Sequence, residues 1–169
     1  VSSGPPITSP MAWIEGTAGN DTFAFASRAN LVAPGEVDGN GGTDTISMTA
    51  PVTLGSGDFA NVTSVETLQL TGASTVTLGA DAATAGIVNI VTGAGTTGIT
   101  DTNGVALSVD ATALADDLTL TLAGSAARTV TGVRGDLAAS GVSGALNVTT
   151  VAVASGLSIA TGSGSNTIT

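Results

Sequence analysis

Apolar-x-apolar triplets, divided by Gly, Ser, Thr, Asn and Asp, recur along almost the whole of this chain and leave few architectures open. Ile46-Ser47-Met48, Val52-Thr53-Leu54, Leu68-Gln69-Leu70 and Val76-Thr77-Leu78 come first. Leu107-Ser108-Val109, Leu118 to Leu122, Leu146-Asn147-Val148, Val151-Ala152-Val153 and Leu157-Ser158-Ile159 follow. Alternation with a period of two, rich in Thr and Val, reads as short strands with one face buried. Helix is expected only as single turns, over residues 81–86 and 111–117. Aromatics make up only 2% of the chain, so its core consists mainly of Val, Leu, Ile and Ala. Such side chains suit the narrow interior of a stacked sheet.

The segment Ala111 to Thr121 aligns with Ala139 to Thr149, a shift of 28 residues, and Thr131-Gly132 recurs as Thr161-Gly162. Two strands per unit of that length imply stacked repeats, each covering the exposed face of its neighbour. The expected fold is all-β, a β-solenoid with Gly-rich turns; the alternative is a β-sandwich with a short appended turn segment. Three regions are expected. Residues 1–14 form a Pro-rich arm, in which Pro5, Pro6 and Pro10 block helix and central-strand pairing. Residues 15–60 hold the Gly-rich turns, and residues 61–169 the strand repeats. The chain begins Val1-Ser2-Ser3, as expected of a processed form or a piece of something longer.

Two turns share one pattern. Gly16-Thr17-Ala18-Gly19-Asn20-Asp21-Thr22-Phe23 and Gly39-Asn40-Gly41-Gly42-Thr43-Asp44-Thr45-Ile46 carry Gly, Gly, Asp and an apolar residue at matching places. Thr161 to Ile168 repeats the pattern with Asn166 where the others have Asp. Glycine admits backbone angles that aim carbonyl oxygens inward. The carboxylate follows at once, and the apolar residue anchors the next strand. Calcium takes six to eight oxygen ligands, which carbonyls and carboxylates from adjacent turns supply. The candidate ligands are therefore Gly16, Gly19, Asp21, Gly39, Gly41, Gly42, Asp44 and Asn166, with Glu36 and Asp38 as additions. Asp101, Asp110 and Asp136 fall at turns between strands, where Asp also serves local hydrogen bonding. If units of 28 residues stack, Asp110 and Asp136 share an ion.

The two Gly-Asp motifs resemble the RTX, or haemolysin-type, calcium repeats of secreted bacterial proteins. Phe59 to Leu68 and Val109 to Leu120 are similar to segments of proteobacterial RTX-bearing S-layer proteins and large adhesins. That resemblance implies export without a classical N-terminal signal, folding on meeting external calcium, and assembly on the cell surface. RTX repeats usually run in tandem, whereas Asp21 and Asp44 are separated by 44 − 21 = 23 residues. Either the two turns meet in space across the intervening loop, which is the expectation, or each is a half-site.

Thirteen acidic residues against three basic ones give a net charge of -10, which opposes binding to nucleic acid or an anionic membrane. No apolar run reaches the length of a membrane span. With no His, Cys or Lys, no constellation for general acid-base or nucleophilic catalysis assembles. The expected function is that of a calcium-stabilised extracellular structural protein forming a homo-oligomer or polymer, a surface layer or filament. The N-terminal arm would dock on the body or on a neighbouring copy. The open edge of the C-terminal turn would receive the N-terminal motif or arm of the next copy, with calcium at the seam. Arg28, Arg128 and Arg134 are candidates for ion pairs between copies. The alternative is an adhesion module that binds cell-surface polysaccharide.

Overall fold

The structure, a computed structural model, describes residues 12–153 and 156–169. The expected N-terminal arm lies almost wholly outside them. In chain order the elements begin with β1 (Trp13–Glu15), β2 (Thr22–Phe25), helix α1 (Arg28–Val32), β3 (Glu36–Asp38), β4 (Thr45–Met48), β5 (Thr53–Leu54) and β6 (Val62–Thr63). Next come β7 (Thr67–Gln69), β8 (Thr75–Leu78), helix α2 (Ala80–Ala85), β9 (Asn89–Val91), β10 (Gly98–Asp101) and β11 (Leu107–Asp110). The last are β12 (Thr119–Gly124), β13 (Arg128–Val133), β14 (Asp136–Val142), β15 (Leu146–Thr150), β16 (Ile159–Ala160) and β17 (Asn166–Ile168).

Every strand pairing is parallel, and the chain winds into a β-solenoid of about seven coils. The principal sheet stacks eight strands in the order β2-β4-β7-β9-β11-β13-β15-β17. A second sheet runs β5-β8-β10-β12-β14-β16, and a third, of β1-β3-β6, flanks the first coils. Helix α2 packs against β6 and continues that third face. Its left-handed cap at Gly86 turns the chain into β9. The expected helical turn at 81–86 is thus α2, whereas residues 111–117 make turns without a helix. Helix α1 has no counterpart in the sequence reading; Ser27 caps it through the Asn30 amide.

The 28-residue repeat is not the coil. It matches β12 with β15, which lie in different sheets. The true step follows from the register: Phe23 stands against Ile46, Ile46 against Leu68, and Leu68 against Ile90. Val109, Val130 and Val148 extend the same column. Its spacing is irregular because loops of unequal length join strands that stay in register. The column is buried throughout and forms the spine of the core with Leu54, Val76, Ile99, Leu122 and Leu120. Side chains adjacent to it along each strand point outward, so one face of each triplet is apolar and the other is Thr, Ser, Asn or Gln.

Burying such a side chain stabilises the fold by about 1.5–3 kcal/mol. Leu68→Ala, which leaves a cavity between Ile46 and Ile90, is expected to cost about 2–5 kcal/mol. The neighbouring outward Gln69→Ala should change stability by less than about 0.5 kcal/mol. Urea denaturation of both variants checks the assignment of faces.

Candidate metal centre

The two Gly-Asp turns meet. Thr22 pairs with Thr45 in the parallel ladder, so the corner before β2 sits directly on the corner before β4. The Asp21 amide donates to Asp44 Oδ1 at 2.7 Å, and the Thr43 amide to Asn20 Oδ1 at 2.8 Å. The Asn40 side-chain amide reaches the Gly16 carbonyl at 2.9 Å. The third corner continues the pattern with a residue that sequence reading missed: the Asp44 amide donates to Glu66 Oε2 at 2.8 Å. Glu66 has no glycine motif before it, and only the register reveals its place. Asp21, Asp44 and Glu66 form one column, each of the latter two stapled to the coil before it.

The same column runs the length of the solenoid. Val88 follows Glu66, and Leu107, Arg128, Leu146 and Asn166 complete it. Asn166 therefore stands where the sequence motif places it, in line with Asp21 and Asp44.

The carboxylates of this column differ in how they are satisfied. Asp21 Oδ2 accepts from both the amide and the hydroxyl of Thr17. Those bonds, the amide first, hold its carboxyl below the usual range against the opposing effect of burial. In the next coil Asn40 replaces Thr17, and its amide turns away to Asp38 Oδ1 at 2.9 Å. Asp44 Oδ2 is consequently buried with no hydrogen-bond partner. A buried carboxylate oxygen without a donor is costly, and it marks this corner as one able to accept a further donor or a cation.

Glycine lets the backbone of successive coils close in beside that oxygen. A methyl group on Gly39 would fall on the Ser64 carbonyl oxygen and lie 2.5 Å from Asp44 Oδ2. On Gly16 it would lie 2.6 Å from the Gly39 carbonyl and 3.0 Å from Asp21 Oδ2. Each corner thus brings a carboxylate of its own turn towards a carbonyl of the next coil. Gly42 adopts φ +114° over Gly19, while Gly19 and Gly41 meet nothing closer than ordinary contact. The oxygen pairs these corners offer a hard cation are Asp44 Oδ2 with the Ser64 carbonyl, and Asp21 Oδ2 with the Gly39 carbonyl. Among the described residues no three His, Cys, Asp or Glu side chains converge as a ready-made metal cluster, so main-chain oxygens must supply part of any ligand set.

The remaining predicted positions lie elsewhere. Asp38 ends β3 beside the corner, and the Asn40 amide chiefly lowers its carboxyl. Glu36 stands opposite Trp13 at the other end of β3. Asp110 accepts from the Thr112 amide and hydroxyl, and Asp136 from the Ser158 amide. Asp110 and Asp136 belong to different sheets, so the stacking that was to let them share an ion does not occur. Asp101 pairs with Arg128 at 3.0 Å, both side chains only 1% exposed. Arg28 pairs with Asp58. Both arginines thus pair within the chain; Arg128 is buried, whereas the Arg28 side chain stays 58% exposed. Burial pushes Asp58 up, but Arg28 and the Gly55 amide more than offset it, leaving its carboxyl below the usual range.

No protein-family model matches this chain, and no curated protein or solved structure matches it significantly. Among the described residues no helix is long and apolar enough to cross a membrane.

Two outcomes follow from this geometry. Gly39→Ala is expected to destabilise the fold by at least about 2 kcal/mol, because the obstruction is backbone; a thermal melt against Gly19→Ala, which has room, checks it. Asp21, Asp38 and Asp58 have folded values depressed from 3.8. The stability they contribute is complete above the unfolded value and is lost as pH falls through the folded ones. The melting midpoint should therefore hold from neutrality to about pH 5 and fall below about pH 4, as followed by circular dichroism.

Proposed function

We propose that this chain is a calcium-stabilised structural segment of an extracellular protein of the RTX type, built to assemble with copies of itself into a layer or filament. The observation that carries the metal reading is the buried, partnerless Asp44 Oδ2 between two stacked Gly-Asp corners. Asp44, Asp21 and the carbonyls of Gly39 and Ser64 would hold the ion, with Glu66 below them. Calcium would neutralise stacked carboxylates and tie neighbouring coils together. This role is structural, consistent with a chain that lacks His, Cys and Lys.

Self-assembly is supported by composition. Charged residues are 9% of the chain, and the mean hydropathy of +0.45 is high for a surface exposed only to water. Trp13, Val32, Val88 and Ile168 lie exposed. A rod of stacked coils carries outward-facing Thr, Ser, Asn and Gln along its sheets, which suits lateral packing.

Calorimetric titration of the chelated protein with calcium is expected to show binding and a rise in melting temperature. Asp44→Asn should weaken that binding at least about tenfold, since a coordinating charge is lost, while the exposed Asp116→Asn leaves it unchanged. Equal binding by Asp44→Asn and the unmodified chain would contradict the assignment. Negative-stain microscopy with and without chelator tests assembly: polymers are expected with calcium.

A further inference from the structure

The carboxylate column changes sign part-way along the rod. Arg128 occupies the position that Asp21, Asp44 and Glu66 hold in the early coils, with apolar Val88 and Leu107 between. Its guanidinium is directed inward, not towards water. It donates to Asp101 Oδ2 at 3.0 Å and to the carbonyls of Val105 at 2.9 Å and Ala127 at 3.0 Å. The other donors to Asp101 are the amides of Asn103 and Gly104. No bare oxygen remains on this carboxylate, in contrast to Asp44.

The backbone is shaped to admit the guanidinium. Gly124, at φ +136°, stacks on Asp101, and a methyl group there would overlap Arg128 Nη2 and lie 2.6 Å from the Asp101 carbonyl. One carboxylate and two carbonyls at a glycine-lined corner are the donor types found around Asp44. Arginine is the cation suited to such a place, since it stays charged and its planar fork serves several acceptors at once.

We propose that the corner formed by Asp101, Val105 and Ala127 is a second cation site, and that Arg128 fills it as a cation tethered to the chain. The later coils then hold together without metal, and dependence on calcium is confined to the first ones. The inference rests on the calcium reading for that contrast only.

Hydrogen–deuterium exchange of the full chain, read by mass spectrometry with calcium and with chelator, tests it. In the unmodified chain, chelation should speed exchange over residues 15–69 by about tenfold or more and leave residues 98–148 unchanged. Arg128→Met should lose protection of residues 98–148 in chelator, because Asp101 is left buried and unpaired. Arg128→Lys should keep more protection than Arg128→Met. The double variant Arg128→Met/Asp101→Asn, with both charges removed, should recover part of what the single variant lost.

Unchanged protection in Arg128→Met overturns the proposal. So does a double variant no better protected than the single one, since a packing role alone would not be relieved by removing the Asp101 charge. If Arg128→Met does not fold, the comparison of Arg128→Lys with the double variant carries the same test. Calcium-insensitive exchange over residues 15–69 would instead sink the calcium reading and leave the Arg128 comparison standing.

Discussion

In-register parallel hydrogen bonding places each side chain over its counterpart one coil away, about 4.8 Å distant. For apolar residues this is favourable: Phe23, Ile46, Leu68, Ile90, Val109, Val130 and Val148 become one buried spine. For ionised residues it is a liability. Two like charges at that separation repel by about 1 kcal/mol in water and by several times more where water is excluded. A column that begins Asp21, Asp44, Glu66 must therefore be neutralised, and the sequence along it records how.

Three answers appear in turn. The first is donation: Thr17 satisfies Asp21, while the amides of Asp21 and Asp44 satisfy one oxygen each of Asp44 and Glu66. This leaves Asp44 Oδ2 bare, and the proposed calcium fits there. The second is removal of charge at Val88, Leu107 and Leu146. The third is reversal of charge at Arg128, whose guanidinium reaches sideways to Asp101. Asn166, neutral and with a buried carbonyl oxygen lacking a partner, ends the described column.

Much of this fold was legible in the sequence because strand periodicity is local. Most triplets named their own buried face, Val151-Ala152-Val153 being an exception that lies outside any strand, and the stacked architecture followed from the brevity of the strands. The meeting of Asp21 with Asp44 was also legible, since paired glycine motifs mark equivalent corners. Coil length was not. The loops between strands vary, Ala, Thr and Gly recur too often to fix an alignment, and the 28-residue match joined strands of different sheets. Glu66 and Arg128 were invisible for a related reason: nothing near them in sequence announces a shared column. Arg128 read as an isolated cation for a partner subunit, and only the register brings it to Asp101. Asp110 and Asp136 show the converse, acids at turns whose neighbours in space are amides.

Under the proposed function, calcium held between the first coils would make their consolidation depend on the supply of the ion. The most direct measurement is an anomalous difference map from crystals grown with terbium in place of calcium. The account predicts a peak beside Asp44 Oδ2, between the Gly39 corner and the Ser64 carbonyl, with no peak beside Arg128. Terbium absent from that corner, with Asp44 turned to solvent or bonded to a protein donor, would contradict it.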